Sequence, residues 1–320
     1  MIISVLLIAL GFALLIKGAD YLVEGASNIA KKFHISEIII GLTIVSIGTS
    51  MPELVVSVKS ALQDHSDIAV GNVIGSNISN ILLILGLCAT IKSLEFKKET
   101  RLFENPMIII ATVLFFIMCN TFNQTVTRYE GLILLFGCIL FIIYNIYMAK
   151  NGERIDKEEG LEEKREVEIL PTWRSIINIV IGIVALKYGG DFVVDNAVKI
   201  ATALGISEKL VSLTIVAVGT SLPELVTSVT ATRKGETDMA IGNIIGSNIF
   251  NILLIIGASA VLSPINYAVS YNKDFILLIT ASIMLAIYPF IGKKNHMGRI
   301  QGGIFVAMYI AYIINLIYTK

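Results

Sequence analysis

Long apolar runs dominate the chain, and short polar connections separate them. A helix needs about 20 apolar residues to cross the hydrocarbon core of a bilayer, and the apolar runs divide at that length into ten segments. The ten predicted spans are residues 2–30, 36–62, 68–91, 106–119, 129–148, 173–201, 207–232, 239–262, 275–291 and 299–317. The pattern therefore predicts an all-α integral membrane protein.

The composition supports this class and excludes others. Of the 320 residues, 55% are hydrophobic and only 16% are charged, and the formal net charge is zero. A chain without an excess of positive charge gives no reason to expect a nucleic-acid partner. The expected partner is the lipid bilayer itself, and no motif implies a cofactor.

One part of the sequence occurs twice. GTSMPE at residues 48–53 returns as GTSLPE at 219–224, and GNVIGSNISN at 71–80 returns as GNIIGSNIFN at 242–251. The offset is 171 residues throughout, and residues 41–86 share 28 identities with residues 212–257. An ungapped repeat of this length is typical of an internally duplicated transporter.

The repeat also predicts the arrangement of the two halves. Each half holds five spans, an odd number, so the second half must enter the membrane from the opposite side. We therefore expect two inverted-topology five-helix repeats, residues 1–150 and 173–320, joined by a charged cytoplasmic linker at 151–172. In such folds equivalent residues of the two repeats meet near the midplane.

Basic residues predict the orientation. With both termini outside, the connections on the inner side carry 17 Lys and Arg residues and those on the outer side carry five. Cytoplasmic loops are the ones enriched in Lys and Arg. The protein is accordingly predicted to be a multi-pass protein of the cell membrane with both termini extracellular.

Each copy of the first motif places a carboxylate, Glu53 or Glu224, inside a predicted span. A carboxylate at that depth is costly and indicates a functional site, here a bound cation. The adjacent proline and glycine weaken the helix, so both segments should be kinked. A plain proline kink that serves helix packing is the alternative. The main-chain carbonyls predicted to turn toward the ion are those of Ser46, Thr49, Ala217 and Thr220.

The second motif forms a polar stripe in each copy. Its members are four residues apart and share one helix face, where we expect them to coordinate an ion: Asn72, Ser76, Asn80, Asn243, Ser247 and Asn251. Asn77 and Asn248 lie off this stripe and are expected to form interhelical hydrogen bonds. All these donors are hard oxygens, which suit Ca²⁺ and Na⁺. Mg²⁺ fits less well, Mn²⁺ remains open, and zinc or copper is disfavoured.

The paired motifs resemble the α-repeats of the sodium/calcium exchanger superfamily, and its prokaryotic members in particular. The resemblance implies a ten-helix inverted-repeat fold that exchanges Na⁺ for Ca²⁺ by alternating access. Main-chain donation is implied at Ser46 and Ala217. The full set of cation ligands that the resemblance implies is Ser46, Thr49, Ser50, Glu53, Ser76, Asn80, Ala217, Thr220, Ser221, Glu224, Ser247 and Asn251.

The residue at position 251 distinguishes this chain from some members of that superfamily. Potassium-dependent exchangers have Asp where this chain has Asn251, so the site holds only two central carboxylates. We therefore expect Na⁺/Ca²⁺ exchange that does not require K⁺. Exchange of H⁺ for Ca²⁺, or transport of another divalent cation, remains an alternative.

Two other classes of function fit less well. A cation channel is disfavoured because the chain has two kinked motifs and no ring of repeated filters. An enzyme is disfavoured because His34, His65 and His296 all fall in connections, and no HExxH motif occurs.

Four further acidic residues lie near the ends of the first and sixth spans: Asp20, Glu24, Asp191 and Asp195. Each pair is four residues apart. We expect them to pair with the nearby Lys17 and Lys187, and an ion vestibule is the alternative.

Overall fold

The computed structural model of the chain describes residues 2–121, 124–158, 170–204, 217–291 and 295–318. In these ranges, eight helices are long and apolar enough to cross a membrane, and a ninth span is a pair of helices bent by 49°. The remaining predicted span, the seventh at 207–232, is described only from residue 217. The described part of the chain is thus an all-α membrane protein.

The helices are numbered here in chain order, with π-helical or 3₁₀ turns included in the helix that carries them. They are α1 (Ile2–Lys32), α2 (Glu37–Thr49), α3 (Met51–Leu62), α4 (Ser66–Ile91), α5 (Thr100–Asn120), α6 (Arg128–Glu158), α7 (Thr172–Ala203), α8 (Ala217–Thr220), α9 (Leu222–Lys234), α10 (Thr237–Leu262), α11 (Val269–Phe290) and α12 (Arg299–Tyr318).

Two helices are longer than the apolar pattern predicts. α5 starts at Thr100 and not at 106, because its first turn is a π-helical segment, Thr100–Glu104, that contains charged residues. Glu104 is buried there. α6 continues to Glu158, well beyond the predicted end at 148 and into the segment predicted as a linker. Helical structure and apolar character are separate properties, and only the second is visible in a hydropathy pattern.

Four strands of two residues each add a feature that the sequence did not predict. β1 (Leu94–Glu95) pairs with β4 (His296–Met297), and β2 (Thr125–Val126) pairs with β3 (Ile265–Asn266), both antiparallel. Each ribbon joins the first half of the chain to the second. Strands this short leave no periodicity in the sequence.

α4 and α10 form the centre of the molecule. Their side chains supply much of the main core, including Val73, Ile74, Ile244 and Ile245. The two helices carry the second motif, so the polar stripe lies inside the protein.

α1 and α7 pack against one another at the periphery. A Cβ atom on Gly182 would lie 2.8 Å from the carbonyl oxygen of Gly18, and one on Gly11 would lie 2.8 Å from that of Gly189. Such distances require glycine, since small residues let two helix backbones come into contact. The opposite faces of both helices, with Phe12 and Ile176 among others, are exposed.

Candidate cation site

Both copies of the first motif interrupt a helix, as predicted. α2 ends and α3 begins around Ser50, whose φ and ψ are −84° and 5°, and α9 begins after Ser221, with −88° and 7°. A proline stands in the first turn after each interruption, where its missing N–H costs no hydrogen bond. The interruptions place Glu53 and Glu224 in the first turn of a helix, where the helix dipole stabilises a negative charge.

The two glutamates are buried but differ in their partners. Each side chain is 1% exposed. Ser50 donates a hydrogen bond of 2.9 Å to Oε1 of Glu224, which places Glu224 against the bend that carries Glu53. In the described part of the chain, neither oxygen of Glu53 has a hydrogen-bond partner, and neither does Oε2 of Glu224.

Hydroxyl and amide oxygens of α4 and α10 lie in the same buried region. The hydroxyl of Ser221 lies 3.3 Å from that of Ser76. Three further oxygen atoms have no hydrogen-bond partner among the described residues: Oδ1 of Asn80, Oγ of Ser247 and Oδ1 of Asn251. Buried polar atoms normally have a partner, so these oxygens are suited to a ligand that supplies positive charge.

The main-chain carbonyl of Ser46 is not freed by the bend. It accepts a hydrogen bond of 3.0 Å from the N–H of Ser50, and the hydroxyl of Thr49 lies 3.3 Å away. The helix therefore keeps its hydrogen bond up to the interruption, contrary to our expectation for this carbonyl. Its counterpart Ala217 is the first residue of α8.

Asn72 and Asn243 were expected to coordinate an ion, but the structure engages both side chains with protein groups. The hydroxyl of Thr49 donates to Oδ1 of Asn243 at 3.1 Å, and that of Thr220 donates to Oδ1 of Asn72 at 3.4 Å. The amide nitrogens donate in turn to Ser228 and Ser57, at 2.9 and 3.0 Å. Sequence reasoning missed these two serines, although they too are 171 residues apart.

The interhelical hydrogen bond predicted for Asn77 is present. Its amide donates to the main-chain oxygen of Asn248 at 3.2 Å, and its Oδ1 accepts a hydrogen bond of 2.9 Å from Asn251. The side chain of Asn248 donates instead to Ile244 of its own helix, at 2.7 Å. That half of the prediction was wrong.

π-helical segments accompany the site and were also not predicted. Asn80 lies in the segment Ser79–Leu85 of α4, and Asn251 opens the segment Asn251–Ile256 of α10. Single π-helical turns inside α-helices occur frequently at functional sites. Both segments begin within the last two residues of the second motif.

Two of the four peripheral acidic residues, Asp20 and Asp191, form ion pairs. Asp191 pairs with Lys187 at 3.0 Å, as predicted, but Asp20 pairs with Lys234 of α9 at 3.0 Å and not with Lys17. Both contacts are partly exposed, so neither indicates a buried ion site.

Comparisons with known proteins agree with this geometry. The family described as "Sodium/calcium exchanger protein" matches residues 3–147 and 174–318. The chain is 38% identical to the putative antiporter CaxA of Alkalimonas amylolytica, with 98% of both chains covered. It is 33% identical to the sodium/calcium exchanger MaX1 of Methanosarcina acetivorans, with 99% of both covered.

A solved structure has the same fold. The sodium-calcium exchanger NCX_Mj, soaked with 2.5 mM Na⁺ and 0.1 mM Ca²⁺, superposes with a TM-score of 0.81 at 32% identity, and the match covers 100% of this chain and 99% of that one. NCX_Mj exchanges ions at the extracellular side, and its binding site undergoes induced occlusion. These similarities indicate a transporter and not an enzyme.

Proposed function

Because the chain belongs to the sodium/calcium exchanger family, we propose that it is a secondary antiporter that exchanges Na⁺ for Ca²⁺ by alternating access. The observation that most supports this function is the buried pair Glu53 and Glu224, three of whose four carboxylate oxygens have no hydrogen-bond partner among the described residues. Two carboxylates supply the charge that one Ca²⁺, or Na⁺ ions in its place, would balance.

The same charges explain why the protein would exchange cations and would not let one kind of cation cross the membrane alone. Two buried like charges without a cation cost several kcal/mol, so the carrier that has released its ions is the state least able to switch sides. Binding of Ca²⁺ or of Na⁺ removes that cost. Transport in one direction is then coupled to transport in the other.

We propose that the cation ligands are the twelve residues implied by the family resemblance. Support is strongest for Glu53, Glu224, Ser247, Asn80 and Asn251, whose buried oxygens lack partners among the described residues. Thr49, Ser50, Thr220 and Ser221 lie at the two helix interruptions, and Ser76 contacts Ser221. Ser46 and Ala217 would contribute main-chain oxygens, Ser46 with the lone pair that its helical hydrogen bond leaves.

We also propose the finer architecture: ten spans arranged as two inverted repeats, residues 1–150 and 173–320, joined by the linker at 151–172. Contacts at the 171-residue offset support this arrangement. At this offset β1 corresponds to β3 and β2 corresponds to β4, so the pairing of β1 with β4 is equivalent to the pairing of β3 with β2. The Thr–Asn–Ser hydrogen bonds likewise occur in two equivalent copies.

The proposed orientation places both termini outside the cell. Its test is labelling with a membrane-impermeant thiol reagent in intact cells, after replacement of Cys88, Cys119 and Cys138. Gln63→Cys, at the exposed end of α3, should be labelled. Lys32→Cys, at the exposed end of α1, should react only after the cells are permeabilised, and the reverse result would invert the topology.

The function is tested by ⁴⁵Ca²⁺ uptake into proteoliposomes loaded with Na⁺. Uptake should require the outward Na⁺ gradient and should not require K⁺ on either side, because Asn251 leaves no third central carboxylate for a K⁺ ion. Uptake driven by a pH gradient would identify an H⁺/Ca²⁺ exchanger. Competition by Mn²⁺ tests for a broader divalent specificity, and Ca²⁺ flux without any counter-ion would identify a channel.

A further inference from the structure

Two hydrogen-bonded bridges connect the repeats on either side of the candidate cation site. In one, the Thr49 hydroxyl donates to Asn243, whose amide nitrogen donates to Ser228. In the other, the Thr220 hydroxyl donates to Asn72, whose amide nitrogen donates to Ser57. The two bridges are equivalent at the 171-residue offset, so each repeat supplies the threonine of one and the asparagine of the other.

Each asparagine amide directs its donating end to a serine and its accepting end to a threonine. The nitrogen donates to a buried serine hydroxyl, at 2.9 Å for Ser228 and 3.0 Å for Ser57. The nitrogen of Asn72 also lies 3.4 Å from the main-chain oxygen of Glu53, which can only accept. The oxygen of each amide faces a threonine, which has a single proton to donate.

The direction of that proton determines what the threonine can bind. A hydroxyl ligates a cation through its oxygen, and only when its hydrogen points elsewhere. The hydroxyl of Thr49 lies 3.1 Å from Oδ1 of Asn243 and 3.3 Å from the carbonyl of Ser46, and it also interacts with the carboxylate of Glu224. A cation bound to that carboxylate would occupy its oxygens and leave Asn243 as the nearest acceptor for the hydrogen of Thr49. With its hydrogen directed to Asn243, the oxygen of Thr49 has lone pairs available for a cation.

We infer that Asn72 and Asn243 are positioning residues that orient the hydroxyls of Thr220 and Thr49 for cation binding and are not themselves ligands. This inference rests on the proposed function, because it concerns the same ions. It adds that each repeat prepares a ligand belonging to the other. Such preorganisation lowers the cost of ordering the site when an ion binds.

A double-mutant cycle across the repeats tests the inference. The variants are Thr49→Val, Asn243→Ala and their combination, and the measurement is equilibrium binding of ⁴⁵Ca²⁺ and ²²Na⁺ to purified protein, with the Ca²⁺ concentration for half-maximal uptake as a second readout. Loss of one oriented hydroxyl should weaken binding roughly threefold to tenfold. Because Asn243 acts through Thr49, the double variant should bind as weakly as Thr49→Val alone.

The chain offers a matched control. Thr49→Val combined with Asn72→Ala removes one member of each bridge, so the two effects should multiply. Thr49→Ser keeps the hydroxyl, and Asn243→Ala should weaken that protein as much as it weakens the unmodified one. If Asn243→Ala does not fold, Ser228→Ala frees the amide to reverse and should give the same coupling to Thr49, with a smaller effect.

Two results would overturn the inference. If the losses of cation affinity in Thr49→Val and Asn243→Ala multiply in the double variant, Asn243 contacts the ion directly. If Asn243→Ala binds both cations as tightly as the unmodified protein, the role of Asn243 is purely structural. A different result would contradict only the proposed function. In that case the unmodified protein would bind these cations but show no Na⁺-driven Ca²⁺ uptake. If it bound neither cation, both proposals would fall.

Discussion

The two repeats have nearly the same motifs but give their glutamates different surroundings. Glu224 of the second repeat accepts a hydrogen bond from Ser50 of the first. The equivalent donor for Glu53 is Ser221, yet that hydroxyl lies beside Ser76, and the carboxylate of Glu53 has no hydrogen-bond partner among the described residues. Nearly identical local sequences have therefore adopted two environments within one molecule, which local propensity alone cannot produce.

A glycine of the second motif shows how closely two helices of the site pack. A Cβ atom on Gly246 would lie 2.6 Å from Oγ of Ser46 and 2.7 Å from the carbonyl of Leu42, so α10 is packed directly on α2. For Gly75 of α4, the counterpart of Leu42 is Leu213, which lies outside the described residues. The requirement for glycine is therefore established at Gly246.

The largest effect is expected from removal of either carboxylate charge. Although the surroundings of the two glutamates differ, the two losses should be equally damaging, because each removes one of the two central negative charges. In Glu53→Gln and Glu224→Gln the shape is kept but one charge facing a divalent ion is lost, a change of several kcal/mol at short range and roughly a hundredfold or more in affinity. The measurement is Na⁺-driven ⁴⁵Ca²⁺ uptake, normalised to folded protein. Robust uptake by one of the two variants would exclude that residue from the ligand set.

Substitution of Gly246 should destabilise the protein. Gly246→Ala forces a methyl group against main chain and should lower the free energy of unfolding by about 1–3 kcal/mol. The measurement is the melting temperature of the purified protein.

Gly303→Ala is the control, since a Cβ atom on Gly303 meets no described atom within 4 Å. It should leave the melting temperature unchanged. Equal melting temperatures of Gly246→Ala and the unmodified protein would contradict the close contact between α10 and α2.

These differences mark the limit of what the sequence could predict. The kinks at Ser50 and Ser221 followed from Pro52 and Pro223, which act locally and identically in both repeats. The partner of Asp20 could not be found in the same way. Lys17 is its neighbour in sequence, but the structure pairs it with Lys234, 214 residues away, because helix packing and not spacing decides which charges meet.

The candidate site was predictable in its residue types and not in its hydrogen bonds. The buried carboxylates and the polar stripe are visible as motifs, whereas the partners of Asn72 and Asn243 lie on other helices and depend on how the repeats interlock. The asymmetry at Glu53 and Glu224 is beyond any inference from sequence, since the two motifs around them differ only at Met51 and Leu222.

A third prediction concerns Asn251, whose amide donates to Asn77 at 2.9 Å. Asn251→Asp replaces that donor with a carboxylate, which faces Oδ1 of Asn77 and adds a third negative charge. We expect Na⁺-driven Ca²⁺ uptake to fall about tenfold near neutral pH and to recover partly as the pH is lowered, because a protonated carboxyl can donate to Asn77 again.

The control is the equivalent change in the other repeat. Oδ1 of Asn248, the group that would accept from Asn80, has no partner among the described residues, so Asn80→Asp breaks no such hydrogen bond in this conformation. Uptake is measured across a pH series with and without K⁺. An absolute K⁺ requirement of the unmodified protein, or a rate and pH profile of Asn251→Asp that match the unmodified protein, would contradict the charge argument.

The smallest effect is expected at the connection between α9 and α10, which is hydrogen-bonded to α1. The equivalent connection of the first repeat, between α3 and α4, has a different residue at the matching position. Glu236, between α9 and α10, accepts hydrogen bonds of 3.0 Å from both Lys31 and Ser27, whereas the equivalent residue of the first repeat is His65. Partial burial would by itself raise the pKa of Glu236, but hydrogen bonds from Glu37 and Lys31 outweigh it and lower the pKa below its usual 4.5.

A lowered folded-state pKa stabilises the protein above pH 4.5, and the contribution is lost as the pH falls through the folded-state value. Lys31 is 36% exposed, so Lys31→Met should cost less than about 1 kcal/mol at neutral pH and lower the melting temperature by about 1–3 °C. The difference from the unmodified protein should shrink below pH 4.5, where Glu236 becomes protonated.

Lys187→Met, which removes the more exposed pair with Asp191 within one helix, is the control and should have a still smaller effect. Equal effects of the two substitutions at every pH would mean that the contact between Lys31 and Glu236 does not hold α1 to the second repeat.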